Sequence, residues 1–269
     1  MSEVFLYKDH YYLSYTDYGD KAGYPVFVHH GLVGSIEQPD LQQTFEGTNV
    51  RMIFTARPGY GASSFYPMEN YAEWANIINS LADRLGLTHF DVMGMSAGAP
   101  YCYALAALLP DRVKRVFIYS GLPAICESSV LARYPQAPEV KKEYAFYHNA
   151  RLEEIAKSLY DMYLAPLPED VLATKDFQDS MANQCKGMAQ EAKLQSLEWG
   201  FKLQDVTQPV FMQHSRQDEE APFAAALKTA ELLSKCTLYE LEDAPHVSDE
   251  TLQAFLQMML EQIHKQKQV

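Results

Sequence analysis

Six short apolar runs set the tightest limit on how this chain folds. They are Pro25-Val26-Phe27-Val28, Arg51-Met52-Ile53-Phe54, Phe90-Asp91-Val92-Met93, Val116-Phe117-Ile118-Tyr119, Val210-Phe211-Met212 and Leu238-Tyr239-Glu240-Leu241. Each is too short for a buried helix and shows little apolar/polar alternation, the pattern of strands covered on both faces in a parallel sheet. Amphipathic helices lie between several of them. Tyr71, Trp74, Ala75, Ile78, Leu81, Ala82 and Leu85 recur at intervals of three and four, as do Leu252, Phe255, Leu256, Met259, Leu260 and Ile263. Upstream, Val4 to Tyr7, a Lys8-Asp9 turn and Tyr11 to Tyr15 read as a hairpin. Strands alternating with helices place the chain in the α/β class, with a mostly parallel central sheet flanked by helices.

The alternation breaks once. The stretch from Ser120 to Val210 is far longer than one crossover helix needs, and from Leu122 to Lys186 it contains no glycine. Tyr144, Tyr147, Leu159, Tyr160, Met162 and Tyr163 recur there at near-helical spacing among many charges. The expected organisation is a core domain of residues 1–123 and 202–269 with a helical cap inserted at 124–201.

Composition narrows the partners. At 269 residues, 48% hydrophobic and 21% charged, the chain has ordinary globular usage and enough length for a large core. Its 35 acids against 22 bases give a net charge of -13, which opposes adsorption to nucleic acid or an anionic membrane. The longest strongly apolar run, Ala104 to Leu109, is far short of a membrane span, and the first residues lack the basic start and apolar core of a signal peptide. Cys102, Cys126, Cys185 and Cys236 are widely separated with no C-x-x-C pair, so neither a metal site nor a disulfide scaffold is indicated and a reducing cytoplasm is the expected compartment.

The chemistry-bearing pattern is Gly94-Met95-Ser96-Ala97-Gly98, set between a strand and the small-residue helix that starts near Pro100. A G-x-S-x-G turn in that context projects the serine hydroxyl from a strained corner, and small residues at both ends let the neighbouring backbone approach. A serine hydroxyl is a weak nucleophile at neutral pH and needs a base, which in turn needs an orienting group. Of the eight histidines, His246 lies just after the last apolar run and before the C-terminal helix, at a carboxyl strand end where sites of parallel sheets gather. His214 precedes the candidate acid and reads as a packing or strand-capping residue, as do the strand and helix histidines other than His30, which lies near the site by position. Asp218 leads the acidic run Asp218-Glu219-Glu220 after the Val210 strand, so Ser96, Asp218 and His246 follow in nucleophile, acid, base order.

With these residues the chain resembles the α/β-hydrolase superfamily, and more narrowly its capped bacterial serine hydrolases. The likeness also rests on Ala99-Pro100-Tyr101 after the elbow, Leu109-Pro110-Asp111-Arg112-Val113, His29-His30-Gly31-Leu32-Val33-Gly34-Ser35 and Arg57-Pro58-Gly59-Tyr60-Gly61-Ala62-Ser63. It covers about residues 1–123 and 203–269. The resemblance implies an oxyanion hole formed by the backbone N–H groups of Leu32 and Ala97, and a mainly structural role for the Arg57 loop. Two positions depart from the family's habit: Ala56 stands where Asp often precedes the arginine, and Val33 where Pro is frequent.

Together these features predict a serine hydrolase working through an acyl-enzyme on a small ester-like substrate, most simply a carboxylesterase. It needs no cofactor and no metal, and its expected partner is a small-molecule substrate, with no nucleic acid and no membrane, the chain being a monomer or homodimer. Tyr144, Tyr147, Met162 and Tyr163 are the expected walls of a substrate pocket under the cap. The same three side chains can also cleave carbon–carbon, thioester or amide bonds, and a ligand-binding sensor with little turnover uses the same fold. A serine at the elbow argues against dehalogenase or epoxide-hydrolase chemistry, whose enzymes carry aspartate there.

Overall fold

In the computed structural model, which describes residues 2–8, 10–135, 137–163 and 167–265, the six apolar runs become strands of one eight-stranded sheet, five of them interior and the last, at 238–241, a half-exposed edge strand rather than one covered on both faces. The strands are β1 (Glu3–Tyr7), β2 (Tyr11–Gly19), β3 (Tyr24–His29), β4 (Val50–Thr55), β5 (Phe90–Met95), β6 (Val113–Tyr119), β7 (Val210–Ser215) and β8 (Cys236–Leu241). Their order is β1-β2-β4-β3-β5-β6-β7-β8. β1 and β2 form the expected antiparallel hairpin and β2 runs antiparallel to β4, while every other pairing is parallel. Asp9, in the expected turn of that hairpin, lies outside the described residues, as do 266–269.

Burial explains the lack of alternation in the runs. Every residue of β4 is buried, and β5 and β6 are buried at all but one position each, because helices cover both faces. Edge strand β1 is largely exposed. The helices are α1 (Pro39–Phe45), α2 (Ala72–Arg84), α3 (Ala99–Leu108), α4 (Ser128–Leu131), α5 (Ala137–Asn149), α6 (Leu152–Tyr163), α7 (Glu169–Leu172), α8 (Lys175–Ser180), α9 (Lys186–Gln195), α10 (Phe223–Leu232) and α11 (Asp249–Lys265). The α2 stripe buries Trp74, Ile78 and Leu81 on one side of the sheet, and α11 buries Phe255, Leu256 and Met259 on the other. Helices α4 to α9 fill the long β6–β7 connection. Among the described residues no helix is long and apolar enough to cross a membrane.

The sheet order places the site. From β3 the chain crosses to β4 on one side and later to β5 on the other, so the connections reverse direction between β3 and β5. A crevice opens at the carboxyl ends of strands at such a switch point. The loop after β3 carries Leu32, and the turn after β5 carries Ser96.

Candidate active site

Ser96 sits at φ +46°, in the left-handed region that a side-chain-bearing residue adopts only when its surroundings hold it. The surroundings are glycine-shaped. A Cβ on Gly98 would lie 2.4 Å from the His29 carbonyl oxygen, and one on Gly94 would lie 2.8 Å from Cys102 Sγ and from the Gly98 backbone. Both ends of the turn therefore press against backbone or buried side chain, and only glycine fits. Helix α3 begins at Ala99, directly after the turn.

The three side chains that the sequence singles out come together across three strand ends. Ser96 Oγ lies 2.9 Å from His246 Nε2, and His246 Nδ1 lies 2.7 Å from Asp218 Oδ2. The other Asp218 oxygen, Oδ1, accepts the backbone N–H groups of Glu220 and Ala221 at 3.0 and 2.8 Å. Burial raises the Asp218 carboxyl, but bonds from His214, His246 and the Ala221 N–H outweigh it and hold the acid well below its ordinary range. Burial depresses the His246 imidazolium, and the bond and charge of Asp218 with the charge of Glu220 overcome that, leaving it raised above 6.5.

Two neighbours of this constellation escape sequence reasoning. His214, at the end of β7, is fully buried, with Nε2 2.6 Å from the Ala221 carbonyl and 3.2 Å from Asp218 Oδ2. It does pack, as expected, but it packs against the acid. Glu220 Oε2 stands 4.0 Å from His246 Nε2 on an exposed side chain. Its place in an acidic run gave no sign of that proximity.

Leu32 lies on the loop beside Ser96; a Cβ on the preceding Gly31 would lie 3.7 Å from Ser96 Cβ. Three successive carbonyls of this loop are held. Arg57 Nη1 donates to His30 O at 2.6 Å, Arg57 Nη2 donates to Gly31 O at 2.8 Å, and the Tyr60 hydroxyl donates to Leu32 O at 2.9 Å. His30 Nδ1 also reaches Gly31 O at 2.8 Å. Ala56 offers no carboxylate to Arg57. One arrives instead from α9: Glu191 takes the guanidinium in a two-pronged bond, Nε to Oε1 and Nη2 to Oε2, with both side chains buried. Burial opposes the charge on Arg57, and Glu191 with the neighbouring tyrosines more than restores it. His29 lies behind the loop and accepts from the Trp74 indole at Nε2, 2.8 Å, so its proton sits on Nδ1; burial and Arg57 push it down to about 3 and keep it neutral.

The aromatic residues of the insertion separate in their placement. Tyr144 and Tyr147 meet edge to face at 6.2 Å, and the Tyr147 hydroxyl donates to Glu143. Tyr163 is partly buried against the apolar cluster that includes Tyr60 and Met93, and its phenol is raised by burial first and then by Glu220. Met162 is 55% exposed on α6 and joins neither apolar cluster. Among the described residues no group of three or more His, Cys, Asp or Glu side chains could hold a metal ion.

A family model described as the alpha/beta hydrolase fold matches residues 24–248. A curated relative, the non-heme chloroperoxidase of Streptomyces lividans, is 26% identical over 248 residues, covering 86% of this chain and 88% of that protein. Among solved structures, the esterase from Exiguobacterium antarcticum superposes with a TM-score of 0.69 at 20% identity, over 97% of this chain and 100% of that one. A structure from work on epoxide hydrolases of metagenomes from hot environments superposes with a TM-score of 0.73 at 17% identity, over 97% of this chain and 98% of that one. At such identities the superpositions speak for the fold.

Proposed function

Because the chain belongs to the alpha/beta hydrolase family, we propose that it is a serine hydrolase of small carboxylic esters, with Ser96, His246 and Asp218 as its catalytic triad. The observation that carries this reading is the unbroken bond sequence Ser96 Oγ, His246 Nε2, His246 Nδ1, Asp218 Oδ2, at 2.9 and 2.7 Å. Asp218 accepts a hydrogen bond from the Nδ1–H, which keeps the proton there and leaves Nε2 free to accept, the tautomer a general base needs.

His246 takes the Ser96 proton as the oxygen attacks the ester carbonyl, and the imidazolium is stabilised by Asp218. The tetrahedral oxyanion is received by the N–H groups of Leu32 and Ala97, on the two sides of the crevice. Collapse expels the alcohol, which takes the proton from His246. Water then enters, gives a proton to His246 as its oxygen attacks the acyl carbon, and collapse breaks the bond to Ser96 Oγ, which takes that proton from His246 as the carboxylic acid leaves. Every group is supplied by the chain, so no cofactor enters the scheme. Helices α4 to α9 form the roof of the substrate pocket, with Tyr163 among its walls. Val33 and Val247, both substantially exposed, flank the two loops and favour an apolar substrate at the mouth.

The test is sustained release of nitrophenol from a short acyl ester together with peptide mapping after phosphonate labelling. Label on Ser96 alone, and a loss of at least about 10⁴-fold in kcat for Ser96→Ala in a folded protein, are expected. Label on Ser63, Ser64 or Ser120, or turnover that survives Ser96→Ala, would overturn the assignment. A burst that stops after one equivalent on every ester tried would favour a sensor.

A further inference from the structure

The Arg57–Glu191 pair lies outside the proton-transfer chain, yet its hydrogen bonds end on the loop that carries an oxyanion donor. Gly31 O and the Leu32 N–H belong to one peptide unit. In a trans peptide the carbonyl and the N–H point in opposite directions, so whatever fixes the Gly31 oxygen also aims the Leu32 hydrogen. A cation bonded to that oxygen further draws electron density across the amide and makes its N–H a stronger donor, as charge-assisted hydrogen bonds polarise their neighbours in a low-dielectric interior.

We propose, on the reading of Ser96 as the nucleophile, that Arg57 and Glu191 are positioning residues for the oxyanion hole. Arg57 clamps and polarises the Gly31–Leu32 peptide, and Glu191, on the inserted helix α9, holds Arg57 in place. Four observations carry this. The guanidinium is wholly buried and spends Nη1 and Nη2 on two successive loop carbonyls, His30 O at 2.6 Å and Gly31 O at 2.8 Å. Nε and the second Nη2 hydrogen go to Glu191, which fixes the plane of the fork. The guanidinium carbon also stands 4.7 Å from the centre of the Tyr101 ring and 5.3 Å from that of Tyr60. Tyr60 extends the clamp to Leu32 O. A fold that needed only to bury this loop had no need of a charge beneath it, since a buried ion pair is often no more stabilising than packed apolar side chains.

The insertion therefore contributes to the reactivity of Ser96 as well as to the shape of the pocket.

The test uses the full chain and a variant in which the pair is replaced without stranding a charge, Arg57→Met/Glu191→Met. Nitrophenyl ester kinetics, thermal midpoint and the affinity of a trifluoromethyl ketone, whose hemiketal oxygen mimics the oxyanion, are measured together, with Ser96→Ala alongside. The expected result is a folded double variant whose kcat and ketone affinity both fall about tenfold or more while KM stays within about twofold, a partial loss of what removing one donor outright costs. A folded double variant with kcat and ketone affinity within about twofold of wild type overturns the proposal. Should that variant fail to fold, Arg57→Lys replaces it: an ammonium cannot make the fork, so the same paired loss is expected, and unchanged ketone affinity overturns the proposal. Loss of turnover in Ser96→Ala with unaffected pair variants removes this inference alone, whereas turnover surviving in Ser96→Ala removes the nucleophile reading and this inference with it.

Discussion

Asp218 meets four groups: two backbone N–H groups on Oδ1, and His246 with His214 beside Oδ2. An asparagine there keeps the shape, but an amide N–H facing His246 Nδ1 forces the wrong tautomer. Asp218→Asn is expected to lower kcat by about 10³- to 10⁴-fold, and Glu219→Gln by less than about threefold; equal losses in steady-state assays would mean that the acidic run acts through its field. Glu220 makes a different prediction. Its carboxylate near His246 Nε2 favours the imidazolium, and the imidazolium is the inactive form at the start of the cycle. Activity should rise with pH through an ionisation above 6.5, and Glu220→Gln, removing a negative charge, should move that limb to lower pH. Because Glu220 is exposed and solvent-screened, the displacement should be small but in that direction. A limb that moves upward in the pH profile of kcat/KM would contradict the geometry. Ser96, Asp218 and His246 were legible in the sequence because motif and chain order point to them without distances. Arg57 and Glu191 were not, because their contacts join residues far apart in sequence; His214 reads only as a packing residue, since a histidine four residues before an acid on a strand end carries no motif that ties it to that acid.

At the scale of elements, the strands were legible for one reason: a run buried on both faces needs an unbroken apolar sequence, and β3 to β7 all have one. The elbow is legible because sterics leave only glycine at its ends. Gly98→Ala tests that reasoning directly. Its methyl would meet the His29 carbonyl at 2.4 Å and the His30 carbonyl at 2.9 Å, backbone atoms that can yield only by moving the loop that carries Leu32. The variant is expected to lose roughly 1–3 kcal/mol of stability and to label more slowly with phosphonate. Denaturation midpoint and labelling rate measure the two effects, and a normal rate in a destabilised protein would uncouple the turn from the loop. The insertion was legible as a helical segment but not in its attachments. On α6, Tyr163 packs against the buried apolar cluster whereas Met162 turns to solvent, a difference of one residue that near-helical spacing alone does not resolve.

Across the whole molecule, the inserted helices are joined to the sheet by polar contacts as much as by apolar ones. Ser35 donates to Asp179 on α8 at 2.5 Å, Ser180 Oγ accepts from the Gly34 N–H at 2.9 Å, the Gly61 N–H donates to the Asp179 carbonyl at 2.8 Å, and Gln190 accepts from the Met68 N–H at 2.9 Å. The Arg57–Glu191 pair adds a buried charge contact to the same seam. Most of these groups are buried, so opening the seam strands donors and acceptors whose desolvation costs about 1–3 kcal/mol each. Buried apolar residues of the insertion, among them Ile155, Leu159 and Met188, share a cluster with Tyr60, Met93 and Tyr119 of the core. An insertion held in this way should not melt separately. Urea unfolding followed by tryptophan fluorescence and by far-ultraviolet circular dichroism should give one coincident transition, because Trp74 reports on the core helix α2 and Trp199 on the chain just after α9, and both are buried. Glu191→Gln, which leaves Arg57 buried without its counter-charge, should shift that single midpoint downward in both signals by an amount equivalent to about 3–5 kcal/mol. Two separate transitions, or a fluorescence midpoint that moves while the dichroism midpoint does not, would show that the insertion opens on its own. It would then be a lid rather than part of the framework that holds the site.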